Sequence, residues 1–238
     1  MDVEDLGHHI SRRFNEDLEH VRSSVLAMGG LVEEQLDRAI KALSDADSAL
    51  GLQVAEDDIK VNRMEVSIDE ECSRILATRA PTASDLRLVI AVLKAITDLE
   101  RIGDEAEKIA RMAKQMHESD RLHIPRFTEV RRASDVALDM LRRALDAFAR
   151  LDVSAAAQVV RQDIDLDDQF RTIVRQLITF MMEDPRTIST SIEIFSIAKA
   201  LERIGDHAKN MAEYVIYLVK GKDVRHVTIE EIEREASA

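Results

Sequence analysis

The chain has 238 residues, 45% of them hydrophobic and 33% charged, with seven glycines, three prolines and 3% aromatics. That balance excludes a disordered chain and argues against a sheet protein, which needs aromatic and β-branched residues between frequent turns. A net charge of −13 sets the surface against nucleic acid, so no nucleic-acid partner is expected. The single cysteine, Cys72, points to a reducing, cytoplasmic compartment.

In chain order, the first residues, MDVEDLGHHISRR, lack the apolar run of a signal peptide. No later segment reaches the roughly 20 apolar residues of a membrane helix, so direct membrane insertion is not expected. Long helical patterns follow. They are interrupted at Pro81, Pro125 and Pro185, where a helix must end or begin, and at two stretches rich in capping Asp and Ser, SDADSALG (44–51) and ARLDVS (149–154). Six long helices are predicted, at roughly 10–45, 48–79, 83–119, 126–150, 153–183 and 187–220. Residues 223–238 read as a polar tail ending in one short helical turn.

The hexamer LERIGD occurs twice, at 99–104 and 201–206. At a shift of 102, Leu86 meets Ile188, Ile90 meets Ile192, Leu93 meets Phe195, and Ala106 meets Ala208. Nearer the N-terminus the shift is 105: LDRAIKAL (36–43) matches LRRALDAF (141–148), and Asp58-Ile59 matches Asp163-Ile164. The change of three falls in the turns around Pro81 and Pro185, where deletions are tolerated. The fold class is therefore all-α: two tandem, sequence-related three-helix bundles. Residues 1–121 form the first, 122–222 the second, and 223–238 the tail.

On a helical wheel started at Leu99, Glu100 lies at about 100° and Asp104 at about 140°. They are i, i+4 neighbours on one stripe, which toward the helix start carries Leu86, Ile90 and Leu93. The second copy repeats this with Ile188, Ile192, Phe195, Glu202 and Asp206. Two carboxylates one turn apart on an apolar stripe repel each other and call for a cation. Arg101, Arg203 and Lys209 are candidates, and so is a hard metal ion such as Mg²⁺, Ca²⁺ or Mn²⁺. Helices two and five offer further ligands in Asp58 with Asn62 and Asp163 with Asp167, each pair again at i, i+4. A single Glu-x-x-x-Asp is ordinarily a solvated surface. Duplication of the acids, the arginine and the glycine together sets a metal site beside that reading. Gly103 and Gly205, unfavourable inside a helix by about 1 kcal/mol against alanine, imply close approach of a neighbouring helix.

The remaining features point away from catalysis. No His has a Glu three residues before it, as a ferritin-like di-iron bundle requires. Neither a glycine-rich phosphate loop nor a nucleophile elbow is present. His207 reads as a surface histidine, Cys72 as core, and Met28, Met64 and Met181-Met182 as fillers of the core or of gaps between helices. A non-enzymatic protein is expected. The alternative is a carboxylate-bridged metal-binding bundle with a storage or enzymatic role.

The paired DLERIGDEA (98–106) and ALERIGDHA (200–208), the segment NRMEVSIDEEC (62–72) and the duplicated three-helix layout resemble the PhoU family. The resemblance covers about residues 10 to 220. It implies two side-by-side three-helix bundles, a homodimer, and a Glu/Asp-x-x-x-Asp motif on the third helix of each bundle. Here these are Glu100–Asp104 and Glu202–Asp206, with Asp58, Asn62, Asp163 and Asp167 as further ligands. Mg, Mn, Zn, Fe or Ni are the implied ions. The implied function is negative regulation of phosphate uptake and of the phosphate-starvation response. It would be exerted by a cytoplasmic adaptor between the ATPase subunit of a phosphate ABC transporter and a sensor histidine kinase. Asp98 faces Ala200 in the second copy and Asn62 faces Asp167, so the two sites need not bind alike.

Overall fold

The computed structural model describes residues 3–81, 83–118, 128–225 and 227–237. Seven α-helices run through these residues: α1 (Val3–Asp45), α2 (Ser48–Arg79), α3 (Ala83–Glu118), α4 (Thr128–Arg150), α5 (Val153–Glu183), α6 (Ile188–Lys220) and α7 (Ile229–Ser237), with a 3₁₀ turn at Pro185–Thr187. Helices α1–α3 pack together, α4–α6 pack together, and α3 lies along α6 with α1 against α4. Pro125, the expected start of helix four near 126, and the boundary placed at 121–122 lie outside the described residues.

The duplication is visible in the turns. Ala46 and Leu151, which match at a shift of 105, both adopt left-handed backbone, with φ of 60° and 53°. The next residues, Asp47 and Asp152, cap α2 and α5 by accepting from Leu50 N and Ala155 N, each at 2.9 Å. The carboxylates thereby satisfy N–H groups that the helix itself leaves open. At the far end Gly221, with φ of 71°, stops α6 and donates to the Tyr217 carbonyl at 2.8 Å.

Each bundle buries the apolar stripes of its helices, with Met28, Leu36, Ile75 and Leu99 in the first and Met140, Leu141, Phe148 and Ile173 in the second. Cys72 is core, and burial pushes its thiol up to about 12, which leaves it unreactive. Met28 and Met64 fill the first core, whereas Met182 is 80% exposed, contrary to expectation. The apolar stripe leading to the acid pairs is in part exposed. Ile192 and Phe195 are 57% and 42% exposed. The reason is that α3 and α6 meet other helices through Val89, Val92 and Ala95, and through Ile194 and Ile197, leaving that side outward. The tail is not merely polar: α7 seats Ile232, 2% exposed, on α5, and Arg161 Nε holds Glu233 at 2.5 Å. No helix among the described residues is long and apolar enough to cross a membrane.

Candidate functional site

The first acidic cluster is assembled by all three helices of its bundle. From α2, the buried Asp58 accepts from Asn62 Nδ2 at 3.0 Å and from Gln35 Nε2, on α1, at 2.9 Å. Gln35 is 4% exposed. Its Oε1, like Asn62 Oδ1, is buried and meets no protein donor. Gly103 on α3 closes the space. A Cβ there would come within 3.2 Å of Gln35 Oε1 and 3.3 Å of Asp58 Oδ1, so glycine keeps these oxygens over the helix. Glu100 and Asp104 lie to either side of Gly103 in sequence, and Arg101 reaches them at 3.4 and 3.3 Å.

Negative charge dominates here. Burial raises the Glu100 carboxyl above its ordinary range, and Asp104 raises it further. Burial raises Asp104 as well, followed by Asp58. Glu65, one further turn along α2, is raised by burial and then, against the pull of Arg101, by Asp69 and Asp104. Arg101 therefore relieves the cluster only in part.

The second cluster has the same frame and a different filling. Asp163, matching Asp58, is buried and takes a 2.7 Å hydrogen bond from Lys209 Nζ on α6. Both Glu202 oxygens accept from Lys199 Nζ at 2.6 Å. Asp167 has Arg171 at 3.6 Å. Met140 and Leu166 stand where the first bundle has Gln35 and Val61, and a Cβ on Gly205 would meet Leu166 Cδ2 at 2.3 Å. Phe170 replaces Glu65 and packs on Phe195, ring centroids 5.9 Å apart, under Lys199. Asp206 is open to solvent on one side. Partial desolvation nonetheless raises its carboxyl, with Glu202 and Asp163 adding to the rise.

The structure thus brings Asp58, Asn62, Glu100 and Asp104 into one neighbourhood and Asp163, Asp167, Glu202 and Asp206 into another. Among the described residues, no three His, Cys, Asp or Glu side chains converge closely enough to hold a metal ion as they stand. In the first bundle the donor set nevertheless fits a hard cation, because two buried amide oxygens without donors adjoin a buried carboxylate, with the Glu100–Asp104 pair beside it. In the second, a lysine already sits on the buried carboxylate. Gln35 and Glu65 escaped the sequence reading. Glu65 was within reach, since 58, 62 and 65 share a helix face; Gln35 carries no signal beyond a polar residue in a core stripe.

A third polar group joins the bundles. Asp98 on α3 is buried and accepts from Asn210 Nδ2 at 3.1 Å and Tyr214 OH at 2.7 Å, with His207 Nδ1 at 2.7 Å. His207 is thus no surface histidine: the wheel places it away from the acid stripe, but that side faces α3. Nearby, Arg203 reaches across to Glu105 at 2.9 Å instead of serving its own acid pair, as Arg101 does.

Two three-helix bundles in tandem, each with an acid pair on its third helix, define a duplicated helical-bundle protein with twin acidic clusters. The PhoU domain model matches twice, over residues 25–113 and 130–215. The chain belongs to the PhoU family. It is 53% identical over 98% of its length to a phosphate-specific transport system accessory protein PhoU homolog of Pseudomonas putida, covering 90% of that protein. With the Escherichia coli K12 phosphate-specific transport system accessory protein PhoU it shares 46% identity, over 98% of this chain and 96% of that one. The crystal structure of PhoU from Pseudomonas aeruginosa superposes with a TM-score of 0.85 at 53% identity, over 88% of this chain and all of that one. The phosphate transport system regulatory protein PhoU from Streptococcus pneumoniae gives 0.82 at 29% identity, over 89% and 99%.

Proposed function

We propose that this protein is a regulatory accessory protein of a phosphate-specific transport system. In this reading it works as a non-enzymatic, cytoplasmic adaptor, as a homodimer, and holds uptake and the starvation response down when phosphate is plentiful. Its partners are the transporter's ATPase subunit and a sensor histidine kinase, and its acidic clusters bind metal. The observation that carries the regulatory reading is near-full-length identity of about half to proteins named as accessory to phosphate-specific transport. The metal reading draws support from carboxyls held above their ordinary range by burial and by each other, which a divalent ion would relieve.

What a metal would supply is charge neutralisation and a fixed arrangement of α2 against α3. The residues themselves set the rest. Gln35 and Asn62 orient the Asp58 carboxylate, and Gly103 leaves room above the helix. The test is a deletion strain carrying a phosphate-starvation reporter. The wild-type gene is expected to silence the reporter in high phosphate, and Glu100→Ala with Asp104→Ala to leave it on while helicity is retained. Failure of the wild-type gene to silence the reporter would reject the regulatory reading. Normal silencing by the double variant would remove the acid pair from the mechanism.

A further inference from the structure

Matched positions of the two bundles carry opposite chemistry around one shared carboxylate. Asp58 is approached by two neutral amides, Gln35 and Asn62, whose carbonyl oxygens are left buried without a donor. Asp163 is approached by the Lys209 ammonium. Lys209 replaces Glu107, Lys199 replaces Thr97, Met140 replaces Gln35 and Phe170 replaces Glu65. Each of these four exchanges removes an oxygen or an anion from the second cluster, or adds a cation to it; Asp167 in place of Asn62 runs the other way, and Arg171 stands 3.6 Å from it.

Two buried carbonyl oxygens pointing at no donor, beside carboxylates, are what a hard cation coordinates. An ammonium at 2.7 Å from the equivalent carboxylate fills the same electrostatic role from within the chain. We infer that the two clusters are unequal cation sites: the first takes a divalent metal ion with Gln35 and Asn62 among its oxygen donors, while Lys209 is the tethered counter-cation of the second and excludes metal from it. This rests on the metal reading above and deepens it, by assigning the metal to one bundle and naming the residue that closes the other. The occupant is a divalent cation of the Mg²⁺ or Mn²⁺ type, since the added donors are neutral oxygens and no sulfur or imidazole is present.

The test titrates Mn²⁺ into the chelator-stripped full chain, reading bound ion by electron paramagnetic resonance and calorimetry. Wild type is expected to show one high-affinity site per chain. Gln35→Met, which installs the second bundle's residue in the first, should weaken that site about tenfold or more, in the range for an altered ligand environment. Lys209→Glu, the reverse exchange, should add a second site. Lys209→Met, neutral and unbranched, does the same where the glutamate perturbs folding, and circular dichroism checks that each variant keeps its helices. Two equal sites in wild type, unchanged by either lysine variant, would overturn the inequality and leave the metal reading standing. No Mn²⁺ bound by wild type or by any lysine variant would overturn both.

Discussion

The two bundles share a turn, a cap, a glycine and an acid pair, and differ in how the acids are balanced. In the first, Asp58, Glu65, Glu100 and Asp104 face mainly neutral amides and one arginine. In the second, Lys209 and Lys199 lie directly on Asp163 and Glu202. The capped turn after the first helix of each bundle and the close helix packing were preserved, because an αL residue followed by an Asp cap and a glycine under a neighbouring helix leave few alternatives. The charge balance was free to diverge because it depends on single side chains at positions such as 107 and 209. The buried carboxylate of the second bundle is therefore balanced by a lysine of the chain itself, whereas that of the first meets only neutral amides, with one arginine on the acid pair beside it.

The largest expected effect concerns the join between the bundles. Asp98→Ala leaves His207, Asn210 and Tyr214 turned toward a vacated buried acceptor and should cost on the order of 4 kcal/mol, measured by urea unfolding. Its match, Ala200, has no such role, so Ala200→Gly should cost about 1 kcal/mol, the ordinary penalty for helical glycine. Equal losses would show that the join is as symmetric as the sequence repeat.

Glu213, 5% exposed on α6 of the second bundle, gives the next effect. Burial pushes its carboxyl up from 4.5 to about 7, with Lys209 pulling the other way. Between those values the folded chain holds a proton that the unfolded chain has lost, so this group's contribution to stability falls as pH rises from about 4.5 to 7. Glu213→Gln should flatten that slope and raise stability at pH 8 by on the order of 3 kcal/mol, with little change at pH 4. A slope unchanged by the substitution would contradict it.

Removing the inner cation sharpens the contrast further. Lys209→Met strands the buried Asp163 and should cost about 2 kcal/mol, whereas Glu107→Ala, at the matching place, should change stability by less than about 0.5 kcal/mol. The smallest effect lies in the metal-free first cluster. Glu100→Gln with Asp104→Asn relieves carboxyls raised by burial and mutual repulsion, and should stabilise by about 1 kcal/mol at pH 7 once solvent screening of the partly exposed Asp104 is allowed for. The gain should vanish near pH 3, where raised carboxyls are protonated in both states, and thermal melts across pH would show it.

Much of the frame was legible in the sequence. Five of the six long helices end within two residues of the predicted positions wherever those ends are described, since proline, Asp caps and the repeat all mark the same breaks. The acid pairs and the close approach at Gly205 were legible because spacing on one helix decides them. What a wheel lacks is the identity of the neighbour on each face. His207 read as surface because α3 was not yet beside it, and Gln35 read as nothing because only the meeting of α1, α2 and α3 makes it a donor to Asp58. The stripe through Ile192 and Phe195 read only as apolar, because apolar character does not say which of two apolar faces is covered. Ile232 was hidden for a simpler reason: Ile229 and Ile232 make a single i, i+3 pair in a short acidic tail, too little to set a period.

The unequal balance of the clusters is tested most directly by anomalous diffraction at the manganese edge from crystals of the wild-type chain grown with Mn²⁺. A peak beside Gln35, Asp58 and the Glu100–Asp104 pair is predicted, with none beside Asp163, where the Lys209 ammonium should remain in place. Peaks of equal height in both bundles, with Lys209 swung away from Asp163, would contradict it.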